Sequence, residues 1–185
     1  MIIALTGTPG TGKTTTSQKL KEKGYNIIEI NKFIQEQNIS TEYIDDKDTN
    51  EVDLEILDQK LEAYLDSDSS TDHTLIDGHL SHNLSFIDRV IILRCHPKKL
   101  EERLKKVGFQ ENKIRENVEA EAVDVISIES VELHGIDKVF EINVTETEPD
   151  EVAAKVIQII GAENSAKIEY KVGNIDWSEV ILEWY

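Results

Sequence analysis

The sequence of 185 residues predicts an α/β fold, in which helices cover both faces of a parallel β-sheet. Segments with the pattern of strands alternate with helical segments, and this order requires crossover helices between parallel strands. The segments Ile2 to Leu5, Thr74 to Ile76 and Val90 to Leu93 are nearly continuous apolar runs, as expected of strands covered on both faces. A glycine-rich loop between the first strand and the first helix is the third indication of this fold class.

Residues Gly7 to Thr14 read G-T-P-G-T-G-K-T and match the phosphate-binding pattern G-x-x-x-x-G-K-[S/T] at every position. Glycines let backbone N–H groups approach phosphate oxygens, and the following helix adds the positive end of its dipole. Lys13 is expected to reach the β- and γ-phosphates, and Thr14 offers a hydroxyl to Mg²⁺. We therefore predict binding of a nucleoside triphosphate with Mg²⁺. The expected contact residues are Gly10, Thr11, Gly12, Lys13, Thr14 and Thr15.

The first half of the chain predicts one strand–helix unit and a long insertion. The predicted elements are a helix over 13–23, a strand over 26–30, a helix over 32–37 capped by Asn31, a polar loop over 38–50, an amphipathic helix over 53–65 and a connection over 66–72. The stretch 31–72 is too long for a simple crossover. We expect it to form an arm over the ligand within a single domain of residues 1–185.

The second half predicts a lid and a tail. The predicted elements are a helix over 97–106 opened by Pro97, a break at Gly108, one long helix over 112–133, a strand over 138–144, a helix from Pro149 to about Ile160, and a C-terminal tail helix within 163–185. A glycine between two helices that carry arginines is typical of a hinge. Residues 104–116 are therefore predicted to form a short lid that closes over the nucleotide.

Asp77 ends an apolar strand and is followed by Gly-His-Leu-Ser-His. An acid at this place is the usual companion of a phosphate loop, and we expect Asp77 to hold Mg²⁺ together with Thr14. His79 is predicted to lie near the γ-phosphate, where it positions water or a substrate phosphate. Two alternatives stay open: D-x-H-x-x-H as a transition-metal site, and His82 as a surface or capping residue.

Three arginines are candidates to neutralise charge on the transferring phosphate. Arg94 ends an apolar strand, and Arg103 and Arg115 flank the break at Gly108. Arg103 is the residue we predict to act in catalysis and ATP binding. Its alternative is a surface ion pair with Glu101 or Glu102.

Composition limits the possible partners and location. The chain has 20 basic and 37 acidic residues, a net charge of −17, which argues against direct binding to DNA and is compatible with a basic protein partner. Cys95 is the only cysteine, which excludes an internal disulfide and suits a reducing compartment. Because no apolar run approaches the ~20 residues of a membrane span, we expect a soluble, cytoplasmic protein with no membrane contact.

Four segments of the sequence resemble the adenylate kinase family, and more closely its ribosome-assembly branch, the CINAP-type nuclear adenylate kinases and their archaeal relatives. These segments are the loop T-G-T-P-G-T-G-K-T-T over 6–15, D-G-H-L-S-H over 77–82, the lid stretch over 100–121 and the tryptophan-containing segment over 175–179.

This resemblance implies a five-stranded parallel sheet, an AMP-binding arm and a short lid. It also implies the reaction of MgATP and AMP to two ADP, with broad nucleotide tolerance and a slow ATPase activity. The implied cellular role is small ribosomal subunit maturation and rRNA processing, through an S11-type ribosomal protein.

The sequence departs from the family pattern in two places. The family's R-L-x-x-R-G-Y in the lid is here Arg103-Leu104 followed by Val107-Gly108-Phe109, so a second arginine is absent unless Arg115 replaces it. The arm contains no arginine to bind the AMP phosphate. The candidates for that task are Lys32, Lys47, Arg94 or backbone N–H groups.

Three functions are consistent with these observations. The first is a nucleoside-monophosphate kinase. The second is an ATPase assembly factor for the S11-type protein with little kinase turnover, in which His79 orients water. The third is a small-metabolite kinase of the shikimate or gluconate type, in which Asp77 serves as the base.

Overall fold

A computed structural model describes residues 1–39, 41–44, 49–67, 73–161 and 169–184. Its strands are β1 (Ile2–Thr6), β2 (Asn26–Glu29), β3 (Thr41–Ile44), β4 (Thr49–Val52), β5 (Thr74–Asp77), β6 (Arg89–Arg94) and β7 (Val139–Asn143). Five of them form a parallel sheet in the order β2-β5-β1-β6-β7, and β3 pairs with β4 in a separate antiparallel ladder. The predicted fold class, a five-stranded parallel sheet of the P-loop type, is confirmed.

Helices connect the parallel strands. They are α1 (Lys13–Glu22), α2 (Ile30–Glu36), α3 (Leu54–Ser67), α4 (Pro97–Lys106), α5 (Glu111–Ala122), α6 (Val125–His134), α7 (Pro149–Gly161) and α8 (Ser178–Leu182). Short 3₁₀ turns cover Ser81–Asn83 and Ile136–Lys138. In the described part of the chain, no helix is long and apolar enough to cross a bilayer.

The centre of the sheet explains where a ligand can bind. Strand β1 lies between β5 and β6, and Leu5 pairs with Asp77 on one side and Ile91 on the other. Successive residues of β1 face opposite sides, so Leu5 joins the core that packs against α1 and α7, and Ala4 joins the core on the α2–α3 side. The carboxyl ends of three strands therefore meet at one edge, where the glycine-rich loop begins.

The predicted long helix over 112–133 is wrong, because it consists of two helices. Helix α5 ends at Ala122 and α6 begins at Val125. Between them Asp124 adopts a left-handed conformation with φ of 59°, which aspartate tolerates better than most residues. Its carboxylate accepts a hydrogen bond from the buried Arg94, so a contact distant in sequence stabilises the break.

Two predictions in the arm are also wrong. Where a loop over 38–50 was expected, β3 and β4 form an antiparallel pair, with residues 40 and 45–48 outside the described residues. Helix α2 begins at Ile30 with Glu29 as its N-cap residue, rather than after Asn31. This earlier start follows directly from the end of β2, whose last residue pairs with Asp77.

The ends of the arm and the tail differ from expectation in length. Helix α3 extends to Ser67, and residues 68–72 of the predicted connection lie outside the described residues. In the tail, the described residues contain only the short helix α8, with 162–168 and 185 outside them. Lys171 forms an antiparallel bridge to Phe140, so the tail lies along the open edge of β7.

Candidate active site

The glycine-rich loop joins β1 to α1, and its backbone requires glycine. Gly7 has φ of 142° and Gly10 has φ of 90°, both in the region that favours this residue. A Cβ atom on Gly7 would lie 2.5 Å from the carbonyl oxygen of Leu93, and one on Gly10 would lie 2.9 Å from Leu104. The loop therefore packs tightly against β6 and α4, which leaves its other side open.

Hydrogen bonds within the loop orient Lys13. The backbone N–H and the hydroxyl of Thr11 both donate to the carbonyl of Thr8, at 3.2 and 2.9 Å. The Lys13 ammonium donates to the carbonyls of Gly7 and Thr8, at 2.6 and 3.1 Å. Burial lowers the pKa of Lys13 to about 8, while the negative charges of Asp77 and Glu121 act in the opposite direction. Lys13 is thus held against the loop.

A cavity of about 560 Å³ lies in front of the loop. Its lining residues are Pro9, Gly10, Gly12, Lys13, Thr14, Thr15, Glu29, Asn31, Asp77, Gly78, His79 and Val107. The structure therefore brings Lys13, Thr14, Asp77 and His79 together, although Thr14 and Asp77 are far apart in sequence. The cavity continues to Glu29 and Asn31 at the start of the arm.

Asp77 and Thr14 offer oxygen ligands on the same cavity, and Glu29 adds a carboxylate at its edge. Asp77 is largely buried at the end of β5. Burial raises the pKa of its carboxyl group, while the hydroxyl of Ser17 and the charge of Lys13 lower it. Hydroxyl and carboxylate oxygens are the ligands that Mg²⁺ prefers, so the donor set fits this ion.

The two histidines after β5 have different environments. His79 lines the cavity, and desolvation, the charge of Lys13 and His82 lower its pKa. His82 is buried, with Nδ1 3.1 Å from the Thr6 hydroxyl and Nε2 3.0 Å from the Glu129 carboxylate. The surface interpretation of His82 is therefore wrong. The transition-metal interpretation is wrong as well, because among the described residues no group of three or more possible ligands is arranged around a common point.

Arg103 lines a second cavity of about 310 Å³ on the other side of the loop. The lining residues are Gly10, Thr11, Gly12, Thr15, Thr16, Arg103, Val144, Thr147, Glu148, Pro149 and Val152. The guanidinium group donates to the carbonyls of Val144 and Thr145, each at 2.9 Å. In the described structure Glu101 and Glu102 instead pair with Lys105 and Lys99, so the surface-pair alternative for Arg103 is wrong.

The other two candidate arginines do not reach either of these cavities. Arg94 is 2 % exposed and binds Glu121, Asp124 and Glu141, so its assignment to the transferring phosphate or to AMP is wrong. Arg115 has a side chain that is 79 % exposed, 3.6 Å from Glu119. It lines a separate groove between α4 and α5.

Glu121 contacts the phosphate loop without lining either cavity, and the sequence patterns did not predict this contact. Its carboxylate accepts a hydrogen bond from Thr8 of the loop, at 2.5 Å, and binds Arg94. The sequence does contain a signal for the burial of Glu121, because this residue follows Ile114 by seven residues and Val118 by three. This spacing places an acid on the apolar face of a helix, where a buried carboxylate needs partners.

The fold and these cavities define a P-loop protein that binds nucleotide phosphates at the carboxyl end of a parallel sheet. A family model described as an AAA domain matches residues 3–124. A relative from Methanosarcina barkeri, named "Putative adenylate kinase", is 41 % identical over 186 residues, which cover 98 % of this chain and all of that protein. One of the same name from Pyrococcus furiosus is 40 % identical, over 99 % of this chain and 94 % of its own. The chain belongs to this family of archaeal adenylate kinase homologues.

A solved structure of similar fold is the shikimate kinase from Acinetobacter baumannii in complex with shikimate. The TM-score is 0.58 with 18 % sequence identity, over 86 % of this chain and 92 % of the other. At this identity the likeness shows the fold alone.

Proposed function

We propose that this protein is an adenylate kinase, which transfers the γ-phosphoryl group of MgATP to AMP and yields two ADP. We further propose that it tolerates other nucleotides. The names of its archaeal relatives support a kinase of this class.

The observation that carries the proposal is that two cavities meet at the phosphate loop. Gly10, Gly12 and Thr15 line both of them. One cavity extends past Arg103 towards residues 144–152, and the other extends past Lys13 to Asn31. A donor nucleoside in the first and an acceptor in the second would place their phosphates at the loop from opposite sides. Transfer between two phosphates requires such an in-line arrangement.

The proposed catalytic roles follow from position and charge. Lys13 would leave its loop carbonyls to bind the β- and γ-phosphates, and Arg103 would contact the bound ATP from the second cavity. Thr14 and Asp77 would hold Mg²⁺, which neutralises phosphate charge when bound. The phosphate of AMP is already an ionised nucleophile, so the reaction needs no general base.

The acceptor side depends on groups that are weaker than arginine. Asn31 lines the cavity directly, and the backbone N–H groups near it are further candidates. Lys32 is exposed and lies 3.8 Å from Glu36, from which it would have to turn to bind a phosphate. Lys47 lies outside the described residues. We propose that residues 31–72 act as the AMP-binding arm.

The proposed lid is residues 104–116. Gly108, with φ of 85°, separates α4 from α5, and a Cβ atom added to it would meet no atom of the described residues within 4 Å. Val107 lines the cavity in front of the loop, so closure about Gly108 would bring this segment over the phosphates.

A second candidate function is an ATPase assembly factor for the small ribosomal subunit, acting in the cytoplasm on an S11-type ribosomal protein. His79 favours it, because an imidazole with a lowered pKa is neutral at pH 7 and can accept a hydrogen bond from water in the cavity. The charge of −17 supports a basic protein partner rather than DNA. A small-metabolite kinase is less well supported, since the likeness to shikimate kinase concerns the fold only.

One assay separates these functions. ADP formation from ATP is measured with no addition, with AMP, and with a basic S11-type ribosomal protein, and Lys13→Ala controls for contaminating kinases. Stimulation by AMP supports the adenylate kinase. Stimulation by the ribosomal protein alone supports the assembly ATPase, and no stimulation by AMP contradicts the primary proposal.

A further inference from the structure

We infer that Glu121 is a positioning residue for the phosphate loop and that it couples the loop to Trp177 in the C-terminal tail. This inference rests on the proposed nucleotide binding at the loop. It concerns a residue on α5 that lines neither of the two cavities at the loop.

The contacts of Glu121 join three distant parts of the chain. Oε2 accepts from the hydroxyl of Thr8, at 2.5 Å. Oε1 accepts from the Arg94 guanidinium at 2.7 Å, the Cys95 backbone N–H at 3.1 Å and the Trp177 indole N–H at 3.4 Å. The side chain is buried, so each lost contact leaves a charged group with less compensation.

Thr8 is the link between Glu121 and the nucleotide. Its carbonyl accepts the hydrogen bonds from Lys13 and from Thr11. By holding the Thr8 side chain, Glu121 fixes the direction of that carbonyl and the curvature of the loop around Lys13. Preorganised loop geometry of this kind contributes to phosphate binding because the bound state then requires less ordering.

Glu121 belongs to a buried network that also contains Arg94, Ser127 and Glu141, and the contacts of these residues are compatible with a positioning role for Glu121. Arg94 compensates the charge of Glu121, while Ser127 bonds both Arg94 and Glu141 without touching the loop. Ser127 therefore belongs to the same buried network, but among the described residues its hydrogen bonds lead to Thr8 only through Arg94 and Glu121. This difference supplies a matched control.

Trp177 provides the reporter at the other end. Its indole ring packs edge-on against His96, with 5.1 Å between ring centroids. It is buried, and the chain contains two tryptophans, the other being the more exposed Trp184. With Trp184→Phe, the tryptophan fluorescence of the protein comes from Trp177 alone. A change at Thr8 then reaches Trp177 through the carboxylate that both residues share.

The first experiment is a fluorescence titration of the Trp184→Phe protein with MgADP, with calorimetry to measure binding separately. We expect nucleotide to change Trp177 emission. Thr8→Val removes the hydroxyl at nearly constant volume, and in it we expect weaker binding and a response at saturation that is several-fold smaller. Thr8→Ser keeps a hydroxyl and should restore both.

The second experiment is steady-state kinetics with ATP and AMP. We expect Thr8→Val to raise the KM for ATP on the order of tenfold, as the loss of one hydrogen bond to a charged group would, with little change in the KM for AMP. Glu121→Gln is expected to act in the same direction. Ser127→Ala should lower stability and leave the KM for ATP unchanged.

The outcomes separate this inference from the proposed function. If Thr8→Val keeps the wild-type KM and Trp177 response, or if Thr8→Ser and Ser127→Ala impair ATP binding as much as Thr8→Val does, the inference is overturned. If Trp177 emission does not respond although calorimetry shows binding, the coupling is overturned. If calorimetry shows no nucleotide binding to the unaltered protein, the proposed function itself fails.

Discussion

The guanidinium group of Arg94 and the carboxylate of Glu141 form an ion pair between the adjacent strands β6 and β7, with 2.6 Å between Nη1 and Oε1. Both side chains are buried, and Glu121 and Asp124 bind the same guanidinium. Although burial opposes it, these three carboxylates raise the pKa of Arg94 above its usual value. Arg94 therefore joins the sheet to the end of α5 and the start of α6.

Replacement of Arg94 should lower the stability of the folded protein rather than remove a group that acts in catalysis. Arg94→Met leaves buried carboxylates uncompensated, and we expect the free energy of unfolding to fall by about 3–5 kcal/mol. Denaturant unfolding measures the loss. The matched control is Arg115→Met at the exposed pair with Glu119, which should change stability by less than about 0.5 kcal/mol. An Arg94 variant as stable as the unaltered protein would contradict this role.

Alanine substitutions at Gly7 and Gly24 distinguish two costs of adding a Cβ atom, namely backbone strain and a steric clash. Both have positive φ, 142° and 90°, but a Cβ on Gly7 meets the Leu93 carbonyl at 2.5 Å, whereas one on Gly24 meets no atom of the described residues within 4 Å. We expect Gly24→Ala to cost about 1 kcal/mol from backbone strain alone. Gly7→Ala should cost about 2–4 kcal/mol and weaken nucleotide binding. Thermal unfolding of both variants tests this, and equal losses would count against the steric argument.

The pKa of Lys13 predicts how stability depends on pH. It is about 8 in the folded protein against 10.5 for the free side chain, so between these values the unfolded chain holds a proton that the folded chain has lost. The free energy of unfolding should therefore rise with pH from about 8 to about 10, relative to that of Lys13→Met. The reason is that loss of the proton removes the cost of burying a charged ammonium group. The comparison is made by denaturant unfolding at several pH values. Parallel pH profiles of the two proteins would refute it.

From the same lysine we expect the affinity for ATP to fall above about pH 8, where the ammonium group that is proposed to bind phosphate loses its proton. Binding in this range should take up a proton, which calorimetry in buffers of different ionisation enthalpy detects.

His82 predicts a loss of stability in mild acid. Burial lowers its pKa below 6.5, and the hydrogen bond and charge of Glu129 only partly oppose this shift. As pH falls below 6.5, the unfolded chain gains a proton more readily than the folded one, so stability decreases. His82→Gln, measured by denaturant unfolding at about pH 7 and about pH 5, should reduce this pH dependence. An unchanged dependence would exclude His82 as its source.

From the proposed role of His79 we expect its replacement to affect ATP hydrolysis and phosphorylation of AMP to different extents. If His79 orients water, His79→Ala should lower ATP hydrolysis on the order of 10²-fold and phosphorylation of AMP much less. Asp77→Ala should lower both reactions if, as proposed, both use the Mg²⁺ that Asp77 and Thr14 would hold. Rates of ADP formation with and without AMP distinguish the two variants. Equal losses in His79→Ala would contradict the water-orienting role, and full Mg²⁺-dependent activity in Asp77→Ala would contradict the metal assignment.

Sequence patterns predicted the features that depend on neighbouring residues. The apolar runs became β1, β5 and β6, Pro97 opened α4, and the spacing of Gly7 to Thr14 predicted the loop at the end of β1. These predictions succeeded because apolar periodicity, proline geometry and glycine spacing determine structure within a single turn or strand. The approximate place of Asp77 followed from the same argument, since the ends of parallel strands meet.

Sequence patterns alone predict the fold class and the phosphate loop. The roles of the charged residues are visible only in the folded chain: Arg94 lies in a buried ion-pair network, Asp124 interrupts a helix, His82 is enclosed and Glu121 accepts a hydrogen bond from Thr8. A charged group takes its role from its partners and its burial, and both depend on residues that are distant in sequence. Arg94 and Glu141 are 47 positions apart, and Thr8 and Glu121 are 113 apart, so no local pattern specifies either pair.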